Sequence, residues 1–201
     1  MRVIGLTGGI GSGKSSVASW LKEHNISVLD ADQTVHQLLA EDQTTISRVA
    51  QTFGDDILDS QGKIDRKGLG AKIFRNDEAR KRLEGILHPL VRGKLFSDQM
   101  ALAAAGVKVC VWDVPLLFEA GFNTAMDEVW VVWVSPQVQL ERVMKRDSFT
   151  RAEAELRISA QWSLEDKTKL ADVLIDNSGT WENTVDQLEE LLVRIKDRVS
   201  L

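Results

Sequence analysis

The chain has 201 residues, 43% hydrophobic and 27% charged, a balance that excludes a disordered chain and fits one α/β core with insertions. Three prolines against 14 glycines exclude a collagen-like or Pro-rich protein, and a single cysteine, Cys110, excludes an internal disulfide or a zinc cage and fits a reducing, cytoplasmic setting. A net charge of −5 argues against a dedicated nucleic-acid binder.

The N-terminal run Val3–Thr7 is apolar and β-branched, as in a buried parallel strand, and is too short for a signal-peptide core. A glycine-rich stretch follows, and then Lys14–Glu23 places Val17, Ala18 and Leu21 on one helical face. The second strand is Ile26–Asp30. From about residue 34 to 105 the pattern is mostly helical, with a turn at Asp59-Ser60-Gln61-Gly62 and an expected helix stop at His88-Pro89. Further strands are expected at Val107–Asp113, Val129–Val134 and Val173–Asp176. None of these apolar runs approaches the roughly 20 residues needed to span a bilayer. Ser135 and Pro136 open a helix over Pro136–Arg146 as N-cap and first residue, and a last helix covers Thr180–Val199. The six tryptophans read mostly as packing residues.

Strands alternating with helices predict a parallel sheet flanked by helices. One domain is expected, with a core of about 1–33, 106–139 and 171–201, a helical insertion at about 34–105 and a second helical excursion, a lid, at about 140–170.

Gly8-Gly9-Ile10-Gly11-Ser12-Gly13-Lys14-Ser15 fits G-x-x-x-x-G-K-[ST] between a strand and a helix. Glycines let the backbone turn back and aim its N–H groups at phosphate oxygens, and the helix N-terminus adds partial positive charge. Lys14 is expected at the β- and γ-phosphates and the Ser15 hydroxyl at Mg²⁺. Gly11, Ser12, Gly13, Lys14, Ser15 and Ser16 are the expected triphosphate contacts.

The accessory residues choose among phosphate-loop classes. No Asn-Lys-x-Asp guanine motif occurs, which speaks against a common GTPase switch. Asp30-Ala31-Asp32 ends the second strand at the sheet edge where α/β proteins bind ligands. Asp32 is read as the base for an attacking hydroxyl with Asp30 in support, against the alternative that either caps the next helix. Arg142 and Arg146 share a helical face, while Glu141 and Lys145 pair beside them, so an anion would relieve the arginines' repulsion. A solvated charged face is the alternative. His88 reads as a helix cap as readily as a ligand, and His24 and His36 carry less signal.

Asp113-Val114-Pro115-Leu116-Leu117-Phe118-Glu119 closely resembles the D-[VI]-P-L-L-F-E signature of dephospho-CoA kinases. The phosphate loop, Asp30-Ala31-Asp32, His88-Pro89-Leu90, Arg146-Asp147 and Asp176-Asn177-Ser178-Gly179 fall where that family has them, over nearly the whole chain. The resemblance implies transfer of the ATP γ-phosphate to the ribose 3′-hydroxyl of dephospho-CoA, the last step of coenzyme A synthesis. It implies Asp32 as base, Arg146 as a lid contact to phosphate, and Asn177 with Gly179 beside the adenine. His88 and the Asp113–Glu119 segment, with Leu116, Leu117 and Glu119, are implied at the acceptor. Ser16 stands where threonine is common, and its hydroxyl can still serve. ATP, dephospho-CoA and Mg²⁺ are thus the expected partners, with no nucleic acid or membrane, on a monomer or small homo-oligomer. The competing readings are another small-molecule or nucleoside monophosphate kinase and a regulatory ATPase that binds a protein.

Overall fold

The computed structural model describes residues 1–74 and 76–199, in two compact units: Met1–Leu29 with Ala101–Leu201, and Asp30–Met100. The first holds the sheet. Strands β1 (Arg2–Gly8), β2 (Ser27–Asp30), β3 (Val109–Asp113), β4 (Glu128–Trp133) and β5 (Val173–Asp176) stand in the order β2-β3-β1-β4-β5. β1 runs parallel to β3 and β4, and β4 parallel to β5. β1, β3 and β4 are buried almost throughout, as strands covered on both faces must be, which is why they read as unbroken apolar runs. The register pairs Leu6 with Asp113, Gly8 with Val132 and Trp133 with Asp176. The chain therefore leaves β1, β3, β4 and β5 at one carboxyl edge, where α/β sheets bind ligands.

Helix α1 (Lys14–Glu23) buries Val17, Ala18, Trp20 and Leu21 against the sheet, and α9 (Trp181–Val199) adds Leu188, Leu191, Leu192 and Ile195 to the same core. Two strands begin later than the apolar runs suggest. Asn25 (φ 63°) and Gly106 (φ 86°) take left-handed conformations as helix-ending residues. The N–H groups of Ile26 and Val107 then donate back to Leu21 O and Leu102 O, both at 3.0 Å, so these two residues close helices instead of opening strands.

Three helices follow the sheet's fourth strand. α6 (Pro136–Asp147) starts as expected, with Ser135 Oγ accepting from Val138 N and Pro136 in the first turn. α7 (Arg151–Ser159) opens with a capping box between Thr150 and Glu153, and α8 (Leu164–Thr168) with a Ser163 cap. Leu140, Val143 and Ala154 form a small core there, against which Ile10 of the glycine-rich loop packs. Trp20, Trp112 and Trp130 are core residues, whereas Trp162 and Trp181 are exposed.

The Asp30–Met100 unit is helical. α2 (Ala31–Glu41) is capped by Asp30, whose carboxylate accepts from Gln33 N at 2.9 Å, and α3 (Gln43–Phe53) by Asp42, which accepts from Thr45 N at 2.7 Å. A turn at residues 59–62, with Gly62 at φ 74°, joins the bridge Leu58–Ile64 and leads to α4 (Arg66–Phe74). Leu39, Ile46, Val49, Ile57, Ile64, Leu69, Leu83 and Leu87 form the core of this unit. The expected stop at His88-Pro89 does not occur: α5 runs unbroken from Asp77 to Ala104. Its buried stripe Leu83, Leu87, Val91, Leu95 passes Pro89 on the other face. Pro89 and Gly85, whose carbonyl it leaves without a helical donor, are both exposed, so that carbonyl is open to solvent and the helix continues.

Candidate active site

The loop between β1 and α1 is shaped from behind by side chains of other segments. Gln139 Nε2 donates to Ile10 O at 2.9 Å, and Ile10 N donates to Gln161 Oε1 at 3.0 Å. Asn177 Nδ2 donates to Ser12 O at 2.8 Å, and Lys167 Nζ to Gly8 O at 3.3 Å. Three carbonyls and one N–H of the loop are thus held by side chains from outside it. Glycine is required at position 13 for two reasons. Its φ is +86°, and a Cβ there would lie 2.1 Å from Asn177 Nδ2. Gly11 (φ 78°) is left-handed too. Ser12 is fully buried, and its Oγ has no hydrogen-bond partner among the described residues.

Lys14 opens α1 and forms a largely buried ion pair with Asp113 at the end of β3. Ser15 and Ser16 follow, both exposed in the first helical turn. A hydroxyl and a carboxylate are the hard oxygen donors that Mg²⁺ takes alongside substrate phosphates. Among the described residues no cluster of three or more His, Cys, Asp or Glu could cage a metal alone. Ser15 and Asp113 carry donors of that kind, and Asp113 is ion-paired with Lys14.

Beyond β3, Leu117 is fully buried over Gly5, Leu116 is half-buried, and Phe118 stacks on Trp162 with ring centroids 6.4 Å apart. Glu119 is ion-paired with Lys167 at 2.9 Å and accepts from Trp162 N at 3.1 Å. Burial pulls the Lys167 ammonium below the usual lysine range, with nearby Lys14 adding to it, while Glu119 opposes the shift. Asn177 is buried and committed on both sides, accepting from Thr184 Oγ1 at 2.9 Å as it donates to Ser12. Gly179 lies two residues on, before α9.

The two arginines of α6 behave differently. Arg142 Nη1 would lie 3.7 Å from a Cβ on Gly13, so its guanidinium stands over the loop. Arg146 is not the unmatched charge its spacing suggests: it forks onto the adjacent Asp147 at 2.7 and 2.9 Å. That bond raises the Arg146 pKa above its ordinary value and lowers that of Asp147. In the other unit, Asp30 is the helix cap and Asp32 an exposed residue of the first turn of α2. His88 is half-buried in α5.

Lys167, Gln139 and Gln161 give no sign of their roles in the sequence. They lie in a polar helical stretch whose charges look solvated, and no local spacing separates a buried lysine from its exposed neighbour Lys169.

A parallel sheet whose central strand runs into a G-x-x-x-x-G-K-S loop, a buried Lys14–Asp113 pair and an arginine over the loop define a phosphate-loop kinase. Comparison with known proteins narrows the class. The dephospho-CoA kinase (CoaE) family profile matches residues 2–183. The dephospho-CoA kinase of Geobacillus kaustophilus is 45% identical over 189 residues, 94% of each chain. A Thermus thermophilus crystal structure superposes with a TM-score of 0.79 at 30% identity, covering 96% of this chain and 97% of the other. The dephospho-CoA kinase structure from Campylobacter jejuni gives 0.70 at 29%, over 95% and 98%. The chain belongs to the dephospho-CoA kinase family, ATP-dependent phosphotransferases of the last step of coenzyme A synthesis.

Proposed function

We propose that this chain transfers the γ-phosphoryl group of ATP to the 3′-hydroxyl of the ribose of dephospho-CoA, with Asp32 as the base. The bond from the γ-phosphorus to the bridging oxygen of ADP breaks as the ribose oxygen–phosphorus bond forms, and the hydroxyl proton passes to the Asp32 carboxylate. The observation that carries the reading is the preformed loop with Lys14 at its mouth. Its backbone N–H groups and Lys14 receive the charge of the moving phosphoryl group, and such electrostatic stabilisation supplies most of the rate in phosphoryl transfer. Mg²⁺ held by Ser15 would neutralise further phosphate charge. Gly11, Ser12, Gly13 and Ser16 line the triphosphate, and Asn177 and Gly179 lie beside the adenine. Arg146 exchanges Asp147 for phosphate when the lid closes and excludes water. His88, Leu116, Leu117 and Glu119 serve the acceptor. A cytoplasmic setting suits the buried, unpaired Cys110. No helix among the described residues is long and apolar enough to cross a membrane.

Asp32→Asn keeps the shape of the side chain and removes its basicity. Turnover should fall by two or more orders of magnitude while ADP affinity stays within threefold of wild type. Full activity in that variant would remove Asp32 from the role of base.

A further inference from the structure

Lys167 is the least expected residue of the sheet-bearing unit. Its side chain is wholly enclosed, in a place where an apolar side chain of the same length would avoid desolvating a charge. All three ammonium protons are spent on fixed acceptors: Glu119 Oε1 at 2.9 Å, the Pro115 carbonyl at 3.0 Å and the Gly8 carbonyl at 3.3 Å. Gly8 ends β1 at the root of the phosphate loop, while Pro115 and Glu119 belong to the segment that leaves β3. Lys167 itself comes from α8, between α7 and β5. One cation therefore ties together three chain segments that meet only at the carboxyl edge of the sheet. The tie is reinforced on each side. Thr7 Oγ1 donates to the same Pro115 carbonyl at 3.0 Å, and the backbone N–H of Trp162 donates to Glu119 Oε1.

From this arrangement we infer that Lys167 is a positioning residue for the acceptor, holding the Asp113–Glu119 segment in register with the phosphate loop. The inference rests on the proposed function, because it takes that segment as the acceptor's. Two of the three bonds go to residues 115 and 119, and they are the shorter ones. The phosphate loop keeps Gln139, Gln161 and Asn177 when Lys167 is lost. Removal of the ammonium thus loosens the acceptor side and spares the nucleotide side.

The test is Lys167→Met, which keeps an unbranched stem out to the ε position and deletes the ammonium with its three donors. Steady-state rates are measured with Mg-ATP saturating and dephospho-CoA varied, and ADP affinity by calorimetric titration. The expected result is a KM for dephospho-CoA raised tenfold or more, with the ADP Kd within threefold of wild type. A purely structural lysine would lower the melting temperature and leave KM alone, and that outcome overturns the inference. So does an ADP affinity that falls as far as acceptor affinity. Should Lys167→Met not fold, Lys167→Gln decides, because it keeps a polar donor in the enclosed site and removes the charge paired with Glu119. A KM raised threefold or more supports the tie, and an unchanged KM overturns it. A wild-type protein that forms no coenzyme A overturns the proposed function together with this inference. An active wild type whose KM ignores Lys167 overturns this inference alone.

Discussion

Gly13 and Gly106 share a backbone angle, φ +86°, and differ in what surrounds them, so alanine at each separates conformational strain from steric collision. A Cβ at Gly106 meets nothing within 4 Å among the described residues. Gly106→Ala should therefore cost only the left-handed penalty, about 1–2 kcal/mol, partly offset by the lower entropy of the unfolded chain. At Gly13 the same penalty applies and the methyl group lies 2.1 Å from Asn177 Nδ2. The amide must leave Ser12 O, its partner at 2.8 Å, and two buried polar groups lose their bond, for about 1–3 kcal/mol more. Gly13→Ala should thus cost about 2–5 kcal/mol. In a chain of this size 1 kcal/mol moves the melting temperature by about 2–4 °C, so the two variants separate in a thermal melt at pH 7. Asn177→Ala placed in the Gly13→Ala background should cost less than it does alone, because the collision has already broken that bond. Equal shifts for Gly13→Ala and Gly106→Ala, or strict additivity with Asn177→Ala, would refute the packing argument.

Three other outcomes follow from the buried polar groups and the helix proline. Burial pushes the Glu128 carboxyl up, but bonds from Trp130 Nε1 and Arg2 and the charge of Arg194 outweigh it and hold the pKa below the ordinary 4.5. A depressed pKa contributes stability that is whole above pH 4.5 and lost as pH falls through the lower folded value. Melting temperature should accordingly drop more between about pH 5 and 3 in the wild type than in Glu128→Gln, and parallel curves would contradict this. Burial drives the Cys110 thiol up to about 11, so iodoacetamide at about pH 7.5 should label it only after denaturation. Rapid labelling of the folded protein would disprove that enclosure. Pro89→Ala restores a helical bond to the exposed Gly85 carbonyl and should stabilise α5 by about 2 kcal/mol, visible as slower proteolysis of the Asp30–Met100 unit. Faster proteolysis would show that the helix needs the proline.

What a single sequence could and could not convey follows from the range of the forces involved. The strands were legible because a strand buried on both faces is a run of β-branched residues, and α1 was legible to its ends because its apolar face is local. The late starts of β2 and β3 were not, since Ile26 and Val107 are apolar enough for a strand yet spend their N–H groups on helix ends. Pro89 misled because a proline costs a helix less where its lost bond reaches water, and its exposure depends on which face packs. At the site, the loop and Lys14 announced themselves by spacing. Asp30 carried an ambiguity between cap and ligand, and its carboxylate does cap α2 through the Gln33 N–H. Arg146 looked unmatched because Asp147, its immediate neighbour in sequence, lies outside the spacings at which helical residues face each other. Lys167 was illegible, since its partners Gly8, Pro115 and Glu119 are brought to it only by the folded sheet edge.

The central claim is acceptor-specific phosphoryl transfer. The most direct test follows ADP release from Mg-ATP with dephospho-CoA, with AMP and with no acceptor, and identifies the product by mass. The account predicts release that depends on dephospho-CoA and is matched mole for mole by coenzyme A. Equal slow release in all three, or release with AMP alone, would contradict it.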